Sequence, residues 1–214
     1  ELGKALAKRF DIAVLKTLVA GARQDATISG NSGGTIVSGA TTTTGTGLLS
    51  ALFEVAQKLD EKDIPAEDRF AVLNPTQYYK LISDPTTNIA LNRDYGGEGS
   101  VASGTVPMVA GIKIFKSNHI PSGNLASTAT GDGASNNDVF DKNHSGTGNG
   151  SGYNGNFTAT EFVAGHKAGV GTVKLLDLAT ESDYQIERQG TLFVAKYAMG
   201  HGVIRPECCV EVTA

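Results

Sequence analysis

LFVAKYAMGHGVIRPECCVEV, residues 192–212, is the stretch from which the rest of the chain is read. Leu192, Val194 and Ala198 alternate with Phe193, Ala195, Tyr197 and Met199, and only Lys196 interrupts the apolar pattern. Successive strand residues point to opposite faces, so a run apolar in both sets predicts a strand buried on both faces. Gly200 and Gly202 flank His201 and predict a kink, a bulge or a close backbone approach. Pro206 holds Arg205 extended and removes a ladder donor, which divides the run into two strand segments. Residues 208–212 then read as a short final strand. Apolarity this dense predicts a core element rather than a tail.

The 214 residues include 22 Asp and Glu against 18 Lys and Arg, a net charge of −4. That length suffices for one large domain or two small ones sharing a core. The charge balance rules out a histone-like binder held by counterion release as the default reading. Cys208 and Cys209 are the only cysteines, a usage that fits a reducing compartment and not a disulfide-stapled scaffold. No apolar run approaches the roughly eighteen residues of a membrane span, and none reads as a signal peptide. Glu1 already lies inside a helical pattern with no capping residue before it, so the chain is expected to be the C-terminal part of a longer protein.

Leu2, Leu6, Phe10, Val14 and Leu18 recur at four-residue spacing and predict an amphipathic helix over 1–23. Its second half is apolar nearly all round and is expected to be packed on several sides. The first half carries Lys4, Lys8 and Arg9, a basic face that is solvated or turned to a partner. Five basic residues against Glu1 and Asp11 put this helix at +3, which leaves −7 for the remainder.

Residues 24–45 are rich in Gly, Ser and Thr and read as a loop with one short strand at 35–37. Leu48, Leu49, Leu52, Phe53, Ala56 and Leu59 predict a second amphipathic helix that ends in an acidic stretch before Pro65. Residues 69–73 (RFAVL) have strand character, and Asn74-Pro75 caps and opens a short helix through Ile82. Residues 108–115 read as a strand broken by a turn at Gly111. Residues 122–156 carry long Gly, Asn and Ser runs and read as a loop. Residues 162–164 and 170–178 are extended, and 177–190 are polar.

No reactive constellation stands out along the chain. His119, His144, His166 and His201 show no ligand spacing, and Cys208-Cys209 is not C-x-x-C. No phosphate loop, dinucleotide fingerprint, nucleophile elbow or EF-hand order occurs. Asn143, Asn149 and Asn156 fit the glycosylation pattern, as chance allows in so Asn-rich a loop. No paired carboxylates stand out for acid–base work. The residues therefore point away from an enzyme and give no cofactor or metal site.

Two stretches carry a family resemblance: KAGVGTVKL at 167–175 and AKYAMGHG at 195–202, continued by Arg205-Pro206-Glu207. With Pro65-Ala66-Glu67-Asp68-Arg69-Phe70 before a strand, they closely resemble the major capsid proteins of short-tailed, podovirus-type (Autographiviridae-like) bacteriophages. The similarity is patchy over nearly the whole chain and dense after Phe162.

The resemblance implies an α+β fold of the Hong Kong 97 type without the N-terminal arm and extended loop of longer members. Residues 1–44 and 165–205 would form a peripheral domain of spine helix and sheet. Residues 45–164 and 206–214 would form a mixed α/β axial domain. The implied function is a self-assembling shell protein whose pentamers and hexamers enclose double-stranded DNA without reading its sequence. Its partners would be further copies of itself, with scaffolding and portal proteins. Its place would be the virion capsid, assembled in the bacterial host cytoplasm, with no membrane. Subunit contacts are expected at Lys4, Lys8, Arg9, Tyr95, Glu98 and Arg205. An adhesin-like module is the alternative, and it requires aromatics clustered in the loops, where 122–156 offers only Phe140 and Tyr153.

Overall fold

The structure, a computed structural model, describes residues 2–26, 28–30, 32–84, 106, 108–123 and 156–214. Its described elements run α1 (Leu2–Ala22), β1 (Thr35–Val37), α2 (Gly45–Asp60), β2 (Arg69–Leu73), α3 (Pro75–Ser83), β3 (Met108–Val109), β4 (Ile112–Lys116), β5 (Thr160–His166), β6 (Val170–Gln185), β7 (Gly190–Val203) and β8 (Cys209–Thr213). One-turn 3₁₀ helices at Lys167–Gly169 and Pro206–Cys208 separate β5 from β6 and β7 from β8. The division at Pro206 follows from its missing N–H.

The described strands form two sheets. Six make a mixed sheet in the order β1-β8-β5-β2-β4-β3, and β6 and β7 make an antiparallel ribbon of their own. Within the larger sheet β8 lies between β1 (parallel) and β5 (antiparallel), so the last strand of the chain is interior. β1, grouped from the sequence with 1–44 and the opening helix, belongs to this sheet as its edge.

Period-two alternation gives the larger sheet two apolar faces. Ala71, Leu73, Ile112, Ile114, Phe162, Val210 and Val212 point to the side covered by α2 and α3, where Leu48, Leu52, Val55, Tyr78 and Leu81 close a fully apolar core. Val72, Val163 and Cys209 point to the other side, against Leu15, Leu18, Val19 and Ala22 of α1. Adjacent Cys208 and Cys209 thus contribute to opposite cores, and both are free thiols.

Local signals set the joints between elements. Thr44 caps α2, and Asn74 caps α3 in a reciprocal capping box with Gln77. Ala110 and Gly111, both at positive φ, make the tight turn of the β3–β4 hairpin. Buried Arg69 donates to Asp60 Oδ1 (2.7 Å), to the Pro65 carbonyl (2.9 Å) and to the Ile64 carbonyl. It therefore fastens the turn that joins α2 to β2. Lys62 holds the 33–35 segment through Gly33 O and Thr35 Oγ1.

Three expectations are corrected. The strand over 192–199 is not buried on both faces: Leu192, Phe193 and Val194 are exposed, Phe193 at 68%. Neither a bulge nor a close backbone approach occurs at Gly200 or Gly202, where the register of β7 is unbroken and an added Cβ would meet open space. The irregularities sit in β6 instead, between Lys174 and Leu176 and between Leu176 and Ala179. The polar residues 177–185 extend β6 rather than ending it. Both faces of the ribbon accept polar residues there because neither is part of the core.

Candidate assembly surface

Two halves of α1 do different work. The C-terminal half lies on the larger sheet and is fixed at its end by Arg23. The guanidinium donates from Nε to Glu211 Oε2 and from Nη2 to Glu211 Oε1, each at 2.6 Å. Thr160 Oγ1 donates to the same Oε1 at 2.6 Å, and Arg23 Nη1 reaches the Asn156 carbonyl at 2.7 Å. Glu211 has no solvent-accessible surface. A carboxylate so placed is tolerated only with a bidentate cation and further donors. The hydrogen bond to Glu211 holds the Arg23 guanidinium above its ordinary pKa.

The N-terminal half leaves the sheet and follows the ribbon. Phe10 meets the His201 ring edge to face at 4.8 Å between centroids, and Tyr197 Oη donates to the Leu6 carbonyl at 3.5 Å. His201 Nδ1 lies 2.9 Å from Thr172 Oγ1 on the facing strand. Burial holds the His201 imidazole below its usual pKa. Along β7, residues 195, 197, 199, 201 and 203 are half-buried on the side that α1 covers.

Beyond that cover the molecule is apolar and open. Leu175 is 81% exposed and Ile186 80%, and Val173, Leu176, Leu178, Tyr184, Leu192 and Val194 are exposed as well. Among the described residues, none of the ribbon's outer part belongs to either apolar core. Exposed apolar surface of this extent marks an interaction site. Leu2, Lys4, Lys8 and Arg9 lie on the exposed half of α1 beside it.

Of the contact residues expected from sequence, Lys4, Lys8 and Arg9 share that helical half. Arg205 stands apart at the base of the ribbon, where Nε donates to Glu207 Oε1 at 2.8 Å. This bond raises the Arg205 pKa. Tyr95 and Glu98 lie outside the described residues. Sequence reading missed the Arg23–Glu211–Thr160 cluster. Its signal was one carboxylate in an apolar strand, two residues from Cys209 and so on the face toward α1.

The described histidines have local partners. His119 Nδ1 pairs with Asp11 at 3.2 Å, His166 caps the 3₁₀ turn through Ala168 N, and His201 is bound as above. Among the described residues no three His, Cys, Asp or Glu side chains are arranged so that they could hold a metal ion. No described helix is long and apolar enough to cross a membrane. The depression along the outer side of α2, lined by Ser50, Phe53, Glu54 and Gln57, is broad and open.

Comparison with known proteins places these features. A family model described as "Gp10A-like: Major capsid protein" matches residues 1–213. The major capsid protein of Escherichia phage T7 is 32% identical over 168 residues, covering 77% of this chain and 46% of that protein. The capsid structure of the cyanophage P-SCSP1u superimposes with a TM-score of 0.78 at 36% identity, over 99% of this chain and 63% of that one. The bacteriophage PhiM1 mature capsid shares the fold, with a TM-score of 0.71 at 18% identity, over 99% of this chain and 62% of that one. The chain spans about half the length of the curated relatives it matches. Its α+β architecture is that of the Hong Kong 97-type phage capsids.

Proposed function

Because the chain belongs to the Gp10A-like family of major capsid proteins, we propose that it is a shell subunit: copies form pentamers and hexamers of an icosahedral capsid around double-stranded DNA. The observation that carries this reading is the exposed apolar ribbon continued by the open half of α1. A lone soluble molecule gains nothing from leaving Leu175, Ile186 and Phe193 in water. A subunit that tiles with its own copies covers such surface, and a closed shell repeats each modest contact many times. The mechanism is contact and shape, with no chemical step.

In this reading α1 and the ribbon, within 1–44 and 165–205, are the peripheral part. The larger sheet with α2 and α3, within 45–164 and 206–214, is the axial part, and β1 joins it as an edge strand. Lys4, Lys8, Arg9 and Arg205 are subunit contacts, and scaffolding and portal proteins are further partners. The mild net negative charge suits a wall that holds DNA without binding its sequence. The adhesin alternative finds no support. The described exposed aromatics Phe53, Tyr79, Phe115, Tyr184 and Phe193 all sit on helices and strands, not in loops.

Light scattering with electron microscopy tests the proposal, on this chain and on a form extended to the length of its relatives. Rings or closed particles from the extended form are the expected result. An extended form that stays dispersed under every assembly condition overturns it.

A further inference from the structure

The two edges of the β6–β7 ribbon are not alike. An isolated two-stranded ribbon is marginal in water, and an open edge is a template for another strand. Among the described residues no strand pairs with either outer edge. β6 is guarded: its register shifts twice, and it carries Lys174, Asp177, Glu181 and Asp183. β7 runs from Gly190 to Val203 with a single charge, Lys196, which is engaged by Glu181 at 2.5 Å across the ribbon. Its outer part, TLFVA at 191–195, is aromatic and β-branched, uncharged and free of proline. That is the composition that pairs edge to edge.

We propose that the outer edge of β7 over 191–195 is a pairing site for the same edge of a second copy of this chain. The partner is a copy because the sequence complements itself. An antiparallel pair about a two-fold axis at Phe193 sets Leu192 against the partner's Val194 and Thr191 against the partner's Ala195. Lys196 then falls opposite the partner's Gly190, so the one charge of the strand has no like charge directly across from it. The contact deepens the shell-subunit reading and rests on it for its purpose, but its detection does not require a shell.

The test is sedimentation equilibrium on the 214-residue chain. A concentration-dependent dimer is expected. Val194→Lys, at an exposed position, weakens it at least tenfold while circular dichroism and melting stay unchanged, and Ser182→Lys on β6 leaves it intact. Phe193→Cys gives a reducible cross-linked dimer on mild oxidation, because directly opposed strand residues bring their Cβ atoms within roughly 5 Å. A wild-type chain that stays monomeric overturns the inference, as does a dimer indifferent to Val194→Lys or equally lost in Ser182→Lys. Particles built by the extended form with an unpaired β7 edge overturn this inference and leave the shell reading standing. β7-paired dimers whose extended form never closes into rings uphold the pairing and sink the shell.

Discussion

Arg23 and Glu211 lie 188 residues apart in the chain and meet through two hydrogen bonds of 2.6 Å. The last turn of the opening helix is thereby bound to the closing strand, with Thr160 and the Asn156 carbonyl completing the cluster. These bonds tie the helix end, the interior of the larger sheet and the 156–160 segment together.

Removing one partner from this cluster strands the other. Arg23→Ala leaves a buried carboxylate without its cation and is expected to cost about 3 kcal/mol, the low end for a buried pair because Arg23 is about one-third exposed. Urea denaturation monitored by circular dichroism measures it. Arg23→Met combined with Glu211→Leu should recover most of the loss. A single-variant loss below about 0.5 kcal/mol would show that the pair does not hold the helix.

Close approach of α1 to β8 depends on Gly21. A Cβ at this position would stand 2.8 Å from Cys209 Sγ and 3.1 Å from Val203 Cγ1. Gly21→Ala should therefore destabilise by about 1–3 kcal/mol despite the better helix propensity of alanine. Gly200→Ala meets open space and should be neutral or stabilising. Paired melting curves of the two variants decide the point.

Stability should fall on mild acidification through His201. Burial lowers its folded-state pKa, so the unfolded chain takes up the proton first as pH drops past about 6.5. The contribution is complete above that unfolded value and is lost as pH falls toward the lower folded one. His201→Gln should flatten this part of the stability-against-pH profile. An unchanged slope in the variant would assign the effect elsewhere.

The thiols should be inert in the folded chain. Burial pushes the Cys209 pKa up to about 12 and raises that of Cys208, and the thiolate is the reactive form. Ellman's reagent at mildly alkaline pH should report neither cysteine until guanidinium is added, and then both. Rapid reaction of a thiol in the native protein would contradict the burial of this strand.

Local rules made much of the fold readable. RFAVL followed by Asn74-Pro75 carries strand, cap and helix start within seven residues, and all three stand where the pattern puts them. Pro206 and Gly111 likewise mark their joints through a missing donor and a positive φ. The ribbon was misread for a physical reason. Leu192, Phe193 and Val194 are as apolar as a central strand, and composition does not distinguish burial inside the chain from surface left for a neighbour. The same blindness hid the length of β6, because Glu181 and Asp183 suit a strand only where it faces solvent. Glu211 went unnoticed as a partner of Arg23 because their contact depends on the tertiary crossing of α1 over β8. Of the expected contact residues, the order of the chain could group Lys4, Lys8 and Arg9 on one helix. It could not set Arg205 at the opposite end of the ribbon.

An electron-microscopy reconstruction of particles assembled from the extended form decides whether α1 and the closing strands are one scaffold that tiles with its copies. The expected result is α1 bound to β8 within each subunit, and Leu175, Ile186 and Phe193 of the ribbon covered by neighbouring copies. A shell in which the ribbon stands in solvent on both faces, or in which α1 has separated from β8, would contradict it.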